Sequence, residues 1–167
     1  MRIRPEDPSD LAAVHAVNEA AFETSAEADL VDALRGKAQP LVSLVAEVAG
    51  SVVGHILFSP VTLAGQSGHM LMGLGPMAVI PQHQRQGIGS ALVREGLNRC
   101  AALGCEAVVV LGHPAYYPRF GFVPASRYGI SSEYDVPDDV FMIMELQPGS
   151  LRHVSGEVSY DEAFRGV

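Results

Sequence analysis

Lysine is almost missing from this 167-residue chain. Lys37 is the single example, and 11 basic residues stand against 19 acidic ones, for a formal net charge of -8. A general nucleic-acid binder needs a basic face to neutralise phosphates, so that class is excluded. Cysteine is scarce too: Cys100 and Cys105 form a CxxxxC pair with no second cluster. Such spacing makes a poor metal site, so no metal is expected and the pair reads as two reduced, partly buried thiols. The apolar runs are strand-length and broken by Gly and Pro, which excludes a membrane span. The opening Met1-Arg2-Ile3-Arg4-Pro5 lacks the apolar stretch of an export signal. Repeats, low-complexity tracts and long linkers are absent as well. These absences predict one cytoplasmic domain over residues 1–167, with neither membrane nor nucleic-acid partners.

What the chain does have is apolar surface to bury. Hydrophobic residues make up 48% of it and charged residues 18%, enough for a packed core. After a short strand about Ile3, Asp7-Pro8 marks a helix start with Pro at the first helical position. Leu11, Val14, Val17, Ala21 and Phe22 recur at helical spacing. Thr24-Ser25-Ala26-Glu27 has the form of a capping box before a second helix with Leu30, Val31 and Leu34, closed by Gly36. Leu41 to Val48 and Val52 to Leu63 read as strands joined by the turn Ala49-Gly50-Ser51, followed by a third strand from Met70 to Val79. A helix is predicted from Gly87 to Leu103, then a central strand from Ala107 to Leu111 buried on both faces. Phe141 to Leu146 and Val154 to Tyr160 read as later strands. This order predicts a mixed α/β domain around one sheet.

The most informative stretch runs from a strand through a turn into a helix: Met77-Ala78-Val79-Ile80-Pro81-Gln82-His83-Gln84-Arg85-Gln86-Gly87-Ile88-Gly89-Ser90. Backbone N–H groups in a helix's first turn have no intrahelical partners and attract anions. Gly87 and Gly89 let a diphosphate approach the backbone, Arg85 adds charge and Ser90 adds a hydroxyl. A Walker loop would need a lysine here, and a dinucleotide fingerprint would need a third glycine where Leu92 stands.

Gln84-Arg85-Gln86-Gly87-Ile88-Gly89 resembles the Q/R-x-x-G-x-G/A signature of the GNAT superfamily of N-acetyltransferases. Met77-Ala78-Val79 with Pro81 resembles the end of that family's fourth strand. The resemblance implies a mostly antiparallel sheet whose fourth and fifth strands are parallel and splay apart, with flanking helices. It further implies acetyl-CoA as cosubstrate: its diphosphate on Arg85, Gln86, Gly87, Ile88, Gly89 and Ser90, with Gln84 in the motif, and its pantetheine arm along Met77, Ala78 and Val79. Gly73, Gly75 and Pro76 lie where the splay should begin.

A second patch, Tyr116-Tyr117-Pro118-Arg119-Phe120-Gly121-Phe122, matches the family's Y-x-x-x-G-F at Tyr117. The implied role of Tyr117 is to protonate the departing thiolate, which a phenol can do at neutral pH. Tyr116 is the fallback, and Phe120 and Phe122 read as core. The family's usual Asn after the fifth strand is missing. Gly112-His113-Pro114 with Gly156-Glu157-Val158-Ser159-Tyr160 resembles the YhbS-type branch of predicted acetyltransferases. Dimers are common in the family, which leaves a homodimer open.

No motif identifies a base for the amine. Glu47, His55, His69 and His113 are the candidates, and His113 is preferred because it follows the fifth strand. The implied acceptor is a primary amine, on a small molecule or a peptide. Glu19, Glu23, Glu27, Asp29, Glu133, Asp135, Asp138 and Asp139 fall in segments that wall the acceptor site in the family, and their charge suits a cationic amine. The alternative function is an acyl-CoA-binding sensor without turnover.

Overall fold

The computed structural model describes the chain over residues 1–167, apart from the surroundings of positions 67 and 166. Strand β1 (Arg2–Pro5) leads through a short 3-10 turn into helices α1 (Leu11–Ala21) and α2 (Ala26–Arg35). The meander β2 (Val42–Val48), β3 (Ser51–Leu63) and β4 (Gln66–Val79) follows. Helix α3 (Ile88–Ala102) crosses to β5 (Ala107–Leu111). The remainder holds β6 (Val123–Pro124), β7 (Ile130–Ser132), β8 (Phe141–Glu145) and β9 (Gly156–Ser159). The sheet runs β1-β2-β3-β4-β5-β8-β6, with β9 pairing β3 and β7. It is mostly antiparallel, and β4 and β5 are parallel. Among the described residues no helix is long and apolar enough to cross a membrane.

Three apolar clusters hold the layers together. Ile88, Leu92, Val93, Leu97 and Cys100 of α3 pack on Phe58, Met72 and Val108 from one sheet face. Val61, Leu71, Val109, Ile143 and Val158 form a second cluster with Ile130 and Leu151. Val14, Leu30, Val31 and Leu34 of α1 and α2 close over Val45 and Leu57. Cys100 and Cys105 are free and fully buried, deeper than the sequence suggested, and burial pushes their thiols up to about 12 and about 11.

Several local expectations are corrected. Pro8 opens a 3-10 turn instead of α1, because Asp10 turns back: its Oδ2 accepts the Asp7 N–H at 2.8 Å and is clamped by Arg4 at 2.7 Å. The capping box does not close. Thr24 Oγ1 accepts the Ala26 N–H at 3.2 Å, Ser25 is the N-cap, and Glu27 turns away. The β2–β3 turn is two residues, Ala49 and Gly50, both left-handed (φ 51° and 80°), while Ser51 already pairs with Val48. Short strands β6 and β7 have no counterpart in the sequence pattern.

Candidate active site

The site begins where β4 leaves β5. Their parallel ladder runs from Leu71 opposite Ala107 to Leu74 opposite Val110, and then stops. On its other side β4 stays with β3, but Gly75 and Pro76 together face Leu57 alone, a bulge that bends the strand. Gly75 sits at φ 147°, where a side chain is strained. Gly73 marks something else: it lies within both ladders, and a Cβ there would meet the Tyr160 ring at 2.9 Å and Val61 at 3.0 Å. Beyond the bulge, the Ile80 N–H reaches the Val53 carbonyl at 2.9 Å. By strand alternation the main-chain groups of Met77 and Val79 therefore face the open side, and those of Ala78 face β3.

The turn that follows feeds α3. Gln84 Nε2 donates to the Val79 carbonyl at 2.9 Å, which ties the turn to the strand end. Arg85 (φ 62°) and Gly87 (φ 84°) are left-handed, and Gly87 is the N-cap. A groove of about 660 Å³ lies over this helix start. Of the expected binding residues, Met77, Val79, Gln84, Arg85, Gly87, Ile88, Gly89 and Ser90 line it. Ala78 and Gln86 do not: the Ala78 side chain is buried in the sheet, and the Gln86 side chain points out, with Nε2 3.5 Å from the Gln82 carbonyl.

The groove also recruits residues that the motif did not mark. Tyr116 bonds Ser90, hydroxyl to hydroxyl, at 2.9 Å, and Arg119 stacks on the Tyr116 ring at 4.5 Å. Arg119, Arg85, His83 and His113 line the groove, and among the described residues no Asp or Glu does. In a chain of net charge -8 this is a local cationic seat with unpaired helix N–H groups at its floor, which suits a diphosphate. The spacing Tyr-x-x-Arg within Tyr116-Tyr117-Pro118-Arg119 was the available signal for Arg119.

A second cavity, also about 660 Å³, opens at the splay and shares Met77 and His113 with the groove. Tyr117 is on its wall, only 7% exposed, and packs edge-on against Tyr116 and Phe122 at 5.0 and 5.7 Å. Burial, with a smaller push from Tyr116, raises its phenol to about 12, so the hydroxyl keeps its proton at neutral pH. The Tyr117–Phe120 turn ends at left-handed Gly121.

Of the four base candidates, only His113 reaches either cavity, and it is solvent-exposed. Glu47 is engaged by Arg4, and His69 Nδ1 lies 3.1 Å from Glu106. His55 is sealed in the core between Asn18 and Ser43, and burial, helped by Arg35, lowers its pKa to about 3. Of the eight acids expected around the acceptor, Glu27 alone lines the splay cavity. Glu133 accepts the Tyr160 N–H, and Asp138 accepts from Ser126. Elsewhere, His15, Asp29 and Asp32 bring possible metal-ligand atoms within 4.8 Å of one another on the surface of α1 and α2.

The bent strand edge thus lies beside a glycine-capped helix, and a buried phenol stands on the wall of the adjoining cavity. The chain belongs to the Acetyltransferase (GNAT) family, whose pattern matches residues 11–122, and it is an acyltransferase. Within that family it is a YhbS-like acetyltransferase. It is 37% identical over 165 residues to the uncharacterized N-acetyltransferase YhbS of Escherichia coli K12, covering 98% of each chain. A crystal structure of E. coli YhbS in complex with CoA superposes with a TM-score of 0.91 at 36% identity, covering 98% of this chain and 91% of that one. The uncharacterized N-acetyltransferase YjhQ of E. coli K12 is 43% identical over 137 residues, 80% of this chain and 76% of that one. A GNAT acetyltransferase from Brucella melitensis in complex with acetyl-CoA gives a TM-score of 0.80 at 39% identity, covering 98% and 97%.

Proposed function

We propose that the chain transfers an acetyl group from acetyl-CoA to a primary amine, by direct attack in a ternary complex. The observation that carries this reading is the junction at Met77 and His113, where the cationic groove meets the cavity holding Tyr117. The α3 start, with Arg85 and Arg119, holds the diphosphate. The outward main-chain groups of Met77, on an edge that β5 has left, pair with the pantetheine arm as a further strand would. That two similar proteins form complexes with CoA and acetyl-CoA supports acetyl-CoA as the ligand of this groove. The thioester then lies at the junction, open to an amine entering from the cavity at the splay. As the amine nitrogen bonds to the acetyl carbon, the carbon–sulfur bond breaks and Tyr117 gives its proton to the leaving sulfur. The acceptor nitrogen sheds one proton to become a free amine before it attacks and a second as the amide forms, and His113, exposed at the same junction, gives both a route to solvent.

The test is release of free CoA thiol from acetyl-CoA with a panel of primary amines. Tyr117→Phe should lower kcat about 10²- to 10⁴-fold, the usual worth of a positioned acid. Its calorimetric affinity for acetyl-CoA should match that of the parent. An unchanged kcat would remove Tyr117 as the acid. Tight acetyl-CoA binding with no thiol release from the parent, whatever the amine, would leave a sensor instead of an enzyme.

A further inference from the structure

On the acetyl-transfer reading, the cavity at the splay must hold the acceptor, and two residues of its wall each keep an unmatched polar atom. Glu27 Oε1 and the Tyr160 hydroxyl are both buried and have no hydrogen-bond partner among the described residues. A buried carboxylate oxygen without a donor bears its full desolvation penalty, so each such atom needs an explanation. The neighbouring chain does not supply one. The Thr24 hydroxyl that a capping box would join to Glu27 is used on Ala26, and Ser25 Oγ lies toward Asp29 at 3.4 Å. Tyr160 is fixed from its other side: its ring lies on Gly73, its N–H is held by Glu133 at 2.9 Å, and its neighbours are Tyr134 and Phe164 at 6.0 and 5.1 Å.

The remaining wall decides what would satisfy them. Phe22, Tyr134, Tyr160 and Phe164 give the cavity aromatic sides; among the described residues Glu27 is its sole Asp or Glu side chain, and no Lys or Arg lines it. One acidic side chain among aromatic rings, with His113 at the edge shared with the groove and no Lys or Arg among the described residues, favours a cation. We infer that Glu27 and Tyr160 form the acceptor subsite, and that the acceptor enters as an alkylammonium. Its N–H groups supply the donors that the Glu27 carboxylate and the Tyr160 oxygen lack, and the rings surround its charge. An acidic acceptor would meet Glu27 as a like charge. An arylamine, neutral at pH 7, would leave the carboxylate without a charged partner.

The experiment compares steady-state thiol release by the parent, Glu27→Gln and Tyr160→Phe, with alkylamines and arylamines as separate acceptors. The parent should prefer alkylamines. Glu27→Gln, which keeps the shape and removes the charge, should raise the alkylamine KM about ten- to a hundredfold, the worth of a charge-assisted hydrogen bond. Its KM for acetyl-CoA should not move, which a merely misfolded site would not allow. Tyr160→Phe should raise the amine KM by a smaller factor and also spare acetyl-CoA. A parent that acetylates arylamines in preference to alkylamines, or a Glu27→Gln protein with the parent's amine KM, overturns the inference and leaves acetyl transfer standing. A parent that binds acetyl-CoA and releases no thiol with any amine overturns acetyl transfer itself, and this subsite with it.

Discussion

A methyl group at position 112 would come within 2.3 Å of the Tyr117 ring. Gly112 has no left-handed backbone to justify it, so the close approach of that ring is its reason. Gly112→Ala should therefore push the phenol away from the junction while leaving the α3 groove intact. We expect kcat to fall on the order of a hundredfold, as a misplacement of about 1 Å costs, with little change in acetyl-CoA affinity. Stopped assays of thiol release beside calorimetry would check this, and a parent-like kcat would show that the ring has room to shift. The spacing that singled out Tyr117 is local to Gly121-Phe122, and the structure puts that residue on the cavity wall. Gly112 and Arg119 were not legible in the sequence, since each acquires its meaning from a side chain brought near by folding, and Glu27 was legible only as one of eight acids that the sequence could not rank.

Elements follow the same division. α3 and β5 matched their sequence patterns closely, because a broad apolar helical face and a run of five apolar residues each admit one reading. The glycine loop was legible for the same reason: strand, turn and helix are contiguous in the chain. β6, of two residues, and β7, of three, are too short to show a period and exist only through their partners β8 and β9. What also stayed hidden is how close α3 lies to the sheet. A Cβ at Gly96, in the middle of that helix, would fall 2.1 Å from Phe58 Cε1. On propensity alone Gly96→Ala would gain about 1 kcal/mol, but overpacking against a fully buried ring costs about 1–3 kcal/mol or more. Because Phe58 is sealed in and cannot swing out, the clash should prevail. Urea unfolding should place the variant below the parent in stability, and a stabilised variant would mean that α3 can lift from the sheet at little cost.

At the scale of the whole molecule, acid should unfold this protein partly through one histidine. His55 is wholly buried, and its pKa falls from the usual 6.5 to about 3 because burial disfavours the imidazolium, with Arg35 adding repulsion. A group depressed on folding contributes stability that is complete above its unfolded pKa and is lost as pH falls toward its folded one. The unfolded chain takes up a proton near pH 6.5 that the folded chain refuses until about pH 3, so the loss runs through that window at about 1.4 kcal/mol per pH unit. Asp10, held low by its hydrogen bond from Arg4, and Asp161, held low by the Ala163 N–H, act in the same direction, so the parent's slope alone cannot isolate the histidine. Comparison with His55→Gln can. That side chain keeps polar atoms for Ser43 and Asn18 but does not titrate. Between pH 6 and pH 4.5 the stability of the parent, from urea titrations, should fall more steeply than that of the variant by close to one proton's worth. Parallel slopes would mean that His55 gains access to water before the chain unfolds.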